Sequence, residues 1–170
     1  VLSADQLARE LVEPGSGLLA ELVVLFGEEI LTKDGGLDRE CLGQLIFADE
    51  TARQRLNALL HPAIAKLSER RLAGLVTSGA ALIVYEAPLL FEAGAEKRVD
   101  KVLVVRVDPE LQLQRIVARD QLDEPAARLR VAAQMSQQAK VARADYLIDN
   151  SGSITDLEKE VARLWHELGF

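Results

Sequence analysis

The stretch Ala81-Leu82-Ile83-Val84-Tyr85-Glu86-Ala87-Pro88-Leu89-Leu90-Phe91-Glu92-Ala93-Gly94 decides how the chain is read. Its first five residues are apolar without interruption, with β-branched Ile83 and Val84 at the centre. Such a run, lacking polar alternation, predicts a strand buried on both faces, as in a parallel sheet. Glu86 falls where the run ends, and Pro88 has no N–H to offer a ladder. The strand is expected to stop there, carrying a carboxylate and an apolar loop to the sheet edge where open α/β proteins bind ligands. A strand closed by a merely exposed acid is the evenly weighted alternative.

Two further runs resemble it. Val102-Leu103-Val104-Val105 and Tyr146-Leu147-Ile148 both predict short buried strands, and helical patterns separate them. Strands alternating with helices mean an α/β sheet layered by helices. At the front, Val1-Leu2 looks like the tail of a strand. The absence of an initiator Met leads us to expect a portion of a longer chain.

Helix signals fill the intervals. Ser3-Ala4-Asp5-Gln6 has capping-box spacing ahead of a helix from Asp5 to Val12. Gly15-Ser16-Gly17 lacks the Lys-Ser/Thr of a phosphate loop and reads as a turn before a helix that Gly27 stops. Asp38 and Asp49 are N-caps. His61-Pro62 predicts a break, with Pro62 opening a new helix, because a residue before proline is pushed out of helical geometry. His61 there could cap a helix or touch a ligand, and capping is favoured on sequence. Asp108-Pro109, Asp123 with Pro125, and the capping box Ser153-Ile154-Thr155-Asp156 open three later helices. Trp165 on the last of these is expected to pack in the core.

Composition narrows the classes. At 170 residues the chain suits one domain, with residues 1–170 forming a single core. One cysteine, Cys41, forms no internal disulfide, and His61 and His166 lie far apart, so a reducing, cytoplasmic setting without a metal cluster is expected. A net charge of −7 argues against nucleic-acid and membrane-surface partners. Against that background, Arg115 to Arg143 holds six basic residues and three acids. Guanidinium forks bind phosphate in two places, so phosphate recognition is favoured over a solvated face. Asp5, in a first helical turn after a strand end, is either an acid placed by the helix dipole or a carboxylate facing a substrate hydroxyl. Spacing alone favours the former.

Taken in order, several segments resemble the dephospho-coenzyme A kinase family. They are Ala4-Asp5 with Ala8-Arg9 and Val12-Glu13-Pro14-Gly15; Phe47-Ala48-Asp49; Leu59-Leu60-His61-Pro62-Ala63-Ile64; and Glu86 through Glu92. Leu113-Gln114-Arg115 with Arg119-Asp120, Arg130 with Gln134, and Ala144-Asp145-Tyr146-Leu147-Ile148-Asp149-Asn150-Ser151-Gly152 complete the set. Each is weak alone, whereas the ordered set is specific. The resemblance implies a P-loop kinase-like three-layer α/β/α fold with a parallel sheet. It also implies a helical acceptor-binding insertion at about residues 14–78 and a helical lid at about 115–143. The implied reaction passes the γ-phosphate of ATP, with Mg²⁺ present, to the ribose 3′-hydroxyl of dephospho-CoA, the last step of coenzyme A synthesis. Asp5 then matches the base, Arg115 a phosphate-contacting arginine, and Arg119 and Arg130 the lid. Asn150, Ser151 and Gly152 match the turn beside adenine. Arg9, His61, Pro62, Pro88, Leu89, Leu90, Phe91 and Glu92 match the acceptor region. The metal ligands and the oligomeric state stay open.

Two departures accompany the resemblance. The family usually carries Asp where this chain has Ser3. Its G-x-x-x-x-G-K-[ST] loop and first strand precede the position of Asp5 by some tens of residues, so the 170 residues alone are expected to be inactive. The alternatives are another P-loop nucleoside or nucleotide kinase, or a non-catalytic CoA-binding module.

Overall fold

The computed structural model describes the backbone of residues 1–170 and every side chain except that of Ala48. It is mixed α/β, and all strand pairing in its two ladders is parallel. The chain divides into two compact units, Val1–Ala93 and Gly94–Phe170.

The first unit opens with β1 (Leu2–Ser3) running directly into α1 (Ala4–Leu11). Ser16 accepts from the N–H of Leu19 and so caps α2 (Gly17–Phe26), more than the plain turn that was expected. Gly27 ends α2 at φ +88°, a left-handed conformation that glycine adopts without steric cost. Asp38 and Asp49 cap α3 (Arg39–Ala48) and α4 (Glu50–Thr77) as their sequence positions predict. Val12, Leu22, Ile30, Leu42 and Leu56 gather into the core of this unit. Leu22 and Ile30 are fully enclosed, each contributing roughly 1.5–3 kcal/mol by leaving water. The exposed Arg71–Glu10 ion pair joins α4 to α1 at 2.7 Å but adds at most about 1 kcal/mol. Apolar burial therefore holds this unit together.

Three expectations are corrected here. The predicted strand Ala81–Tyr85 is β2 (Tyr85–Glu86), paired with β1 in the register Leu2 to Tyr85 and Ser3 to Glu86. It is not buried on both faces, since Leu82 and Val84 are exposed. An apolar run supplies the capacity for burial, but covering layers decide whether it is used. Second, Ser3 occupies the N-cap position without a side-chain cap bond. It is also the last residue of β1 and is buried, so its backbone and surroundings belong to the ladder. Third, α4 continues for 28 residues with Pro62 inside it. The proline bias against a preceding helical residue is a steric preference, which a long helix supported on both sides overrides.

The second unit pairs β3 (Leu103–Arg106) with β4 (Tyr146–Asp149) over four residue positions. Between them lie α5 (Pro109–Asp120), α6 (Glu124–Ala132) and α7 (Gln137–Val141), and α8 (Ile154–Glu167) follows. Asp108, Asp123 and the Ser153–Asp156 capping box close the N-termini of α5, α6 and α8 as expected. Leu113, Ala127, Ile148 and Leu164 are buried. β3 departs from its expected double burial, because Leu103 and Val105 are exposed. Trp165 departs as well. It is half exposed and lies against Phe170 with ring centroids 4.9 Å apart, rather than in the core. Among the described residues no helix is long and apolar enough to cross a membrane.

Candidate active site

Every residue matched to the acceptor region lies in the first unit, and every residue matched to the phosphates and adenine lies in the second.

In the first unit, the parallel register sets Ser3 beside Glu86. Chain continuity then puts exposed Asp5 in the first turn of α1, where the helix dipole favours a negative charge. Arg9 follows four residues later on the same face. The end of β2 is pinned to α4. The buried Ser68 hydroxyl donates to the Ile64 carbonyl at 2.6 Å, so the Tyr85 hydroxyl, 3.0 Å away, donates to Ser68. Tyr85 thus fixes the strand on α4, while Glu86, the next residue along, is exposed.

His61 is half-buried in α4. Burial lowers its pKa, and the negative charge of Glu92 partly counteracts that. His61 and Glu92, far apart in sequence, are thus electrostatically coupled. The loop after β2 winds in tight turns, with Leu90 N–H donating to the Ala87 carbonyl and Ala93 N–H to that of Leu89. Pro88 and Leu89 are exposed, whereas Phe91 is buried and anchors the loop. Pro62 is exposed on α4. Arg39 is a residue that the sequence reading missed. Partial burial lowers its pKa, and the positive charge of Arg9 pushes the same way. No local spacing could have paired them.

The second unit contains a cavity of about 830 Å³ between β3, α5 and the end of α6. Arg115, Arg119, Arg130 and Lys140 reach its wall, and no carboxylate does. Arg115 donates from Nη1 to the Asn150 carbonyl oxygen at 2.9 Å, joining α5 to the turn after β4. That turn is well fixed. Asn150 N–H donates to the Arg106 carbonyl, Ser151 N–H to Asp149 Oδ1, and Asp108 N–H to Ser151 Oγ. A Cβ at Gly152 would stand 3.1 Å from Asp156 Oδ2, the carboxylate of the α8 capping box, so a side chain there would press on the cap. Arg119 and Arg130 both donate to Asp120. Gln137 holds the end of β3 through two bonds to the Val107 backbone, each 2.7 Å. Gln137 and Lys140 were not singled out individually as site residues, since a carboxamide or one more lysine carries no local signature.

Residues 1–156 match the family described as dephospho-CoA kinase. The chain belongs to the dephospho-CoA kinase family. It is 51% identical to the dephospho-CoA kinase of Syntrophotalea carbinolica over 168 residues, covering 99% of this chain and 80% of that protein. It is also 51% identical to the dephospho-CoA kinase of Geobacter sulfurreducens, covering 97% and 84% respectively. Among solved structures, TT1252 from Thermus thermophilus superposes with a TM-score of 0.77 at 34% identity, over 99% of this chain and 84% of that one. The dephospho-CoA kinase from Campylobacter jejuni gives 0.69 at 30% identity, over 98% and 83%. The parallel strands and flanking helices are consistent with the P-loop kinase-like fold expected of this family.

Proposed function

We propose that the protein phosphorylates the ribose 3′-hydroxyl of dephospho-CoA with ATP, the last step of coenzyme A synthesis. The family match carries the choice of acceptor, and the observation that supports phosphate transfer is a cavity to whose wall four basic side chains and no carboxylate contribute, with Arg115 bonded to the Asn150 turn. Phosphoryl transfer asks little covalent chemistry of the protein. It asks for positioning and for positive charge where the transferring group becomes more negative.

In this reading, Arg115 lies along the triphosphate with its geometry set by the Asn150 carbonyl. Arg119 and Arg130 close over the phosphates, and residues 150–152 border adenine. Asp5 orients the acceptor hydroxyl and takes up its proton. Arg9 and Arg39 receive acceptor anionic groups, and His61, Pro62 and the loop from Pro88 to Glu92 shape the surface beneath. Residues 14–78 then serve the acceptor and residues 115–143 form the lid, within one kinase domain.

Mg²⁺ fits this reading as an ion carried on the nucleotide phosphates. The described residues gather no group of three or more metal-ligating side chains, and this hard ion is commonly held by phosphates, water and one or two carboxylates. When bound it would neutralise phosphate charge.

The direct test offers dephospho-CoA and a panel of nucleoside monophosphates to the complete enzyme with ATP. A 3′-phosphorylated product from dephospho-CoA, identified by mass and phosphorus NMR, is expected. Preference for a nucleoside monophosphate would reject the acceptor assignment.

A further inference from the structure

Resting on the phosphate-site reading above, we infer that Asp120 is a positioning residue that holds both lid arginines on the cavity wall. Asp120 is the last residue of α5, and its side chain is only 18% exposed. Arg119 grips it with two parallel bonds, Nε to Oδ1 at 2.7 Å and Nη2 to Oδ2 at 2.9 Å. Arg130, in the last turn of α6, donates Nη1 to the same Oδ2. One carboxylate therefore ties together two guanidinia from two different helices. The chain between the helices turns sharply enough to put Gln121 at φ +52°.

The arrangement has a direction. Both arginines line the cavity, whereas Asp120 does not. The carboxylate thus holds two cavity-lining arginines from outside the lining itself. Without it, the one point that ties the two guanidinia together is lost, and an incoming phosphate must bring them into register itself. Pre-organised guanidinium forks lose less freedom on binding, so the cost of losing Asp120 falls on ATP rather than on the acceptor.

The test uses the complete enzyme. Asp120→Asn keeps the shape and removes the charge, and it is expected to raise KM for ATP about tenfold while KM for dephospho-CoA stays within about twofold. Asp120→Glu, which keeps the charge, is expected to recover part of the loss and guards against a misfolded Asn variant. The effect of Asp120→Asn is expected to vanish when Arg119 and Arg130 are both alanine, because the residue acts through them. An undiminished effect in that background would overturn the inference, as would a fall in KM for ATP, which would mark Asp120 as a competitor of phosphate. If Asp120→Asn does nothing while Arg119→Ala and Arg130→Ala weaken ATP, the inference fails and the phosphate reading survives. If none of the three affects ATP, both fail.

Discussion

Arg115 donates from Nη1 to the backbone carbonyl oxygen of Asn150 at 2.9 Å, across 35 residues of sequence. The bond orients the guanidinium with an uncharged acceptor, so its full positive charge stays available to a phosphate. A lysine placed there offers a point charge and no planar fork.

Arg115→Ala is therefore expected to lower kcat by on the order of 10³, and Arg115→Lys to recover only a minor part. Steady-state kinetics with ATP varied would measure both. A loss smaller than about tenfold in the alanine variant would remove Arg115 from transition-state stabilisation.

Asp5 has a separable role. Asp5→Asn keeps the helix-start geometry and removes the base, so kcat should fall by about 10²–10⁴. ATP affinity, measured by calorimetry, should stay nearly intact. Unchanged turnover would leave Asp5 as no more than an acid favoured by the α1 dipole.

His61 gives the first unit a pH dependence of definite sign. Burial lowers its pKa in the folded state, so the unfolded chain takes up this proton first as pH falls. The stability linked to the neutral imidazole is present above the unfolded value of about 6.5 and is lost between that value and the lower folded one. Denaturant midpoints between pH 7.5 and 5 should fall across this window, and His61→Gln should flatten that part of the curve. Glu92→Gln should lower the His61 pKa further, as followed by imidazole NMR, because Glu92 opposes the shift.

Pro62 lies inside a 28-residue helix, where its ring removes one helical donor and crowds the carbonyl four residues earlier. Pro62→Ala should stabilise the protein by about 1–3 kcal/mol in chemical denaturation. If the proline shapes the acceptor surface as proposed, KM for dephospho-CoA should rise severalfold while KM for ATP does not. A variant both more stable and kinetically unchanged would make the proline a neutral feature of α4.

How much of the fold could be read in advance depended on the range of the interaction. Asp38, Asp49, Asp108, Asp123 and Ser153 cap the helices that they precede. Ser3 failed as a cap because the same residue closes a strand paired with Glu86 far along the chain. His61-Pro62 failed as a break because helix on either side carried α4 through it. The ordered motifs gave the family and named Arg115, Arg119 and Arg130, but the electrostatic coupling of Arg39 to Arg9 came only from folding.

The sequence by itself determined which residues start helices, which runs can form strands, and that a basic segment is set within an acidic chain. Those are properties of neighbours within a turn or two, where rotamers and backbone preferences act directly. Only the tertiary structure decided that Asn150 orients Arg115, that Asp120 ties two helices through their arginines, and that Val84 and Val105 stay exposed. Burial, charge coupling and hydrogen-bond direction depend on what packing brings within a few ångströms, and packing joins residues that the chain itself keeps far apart.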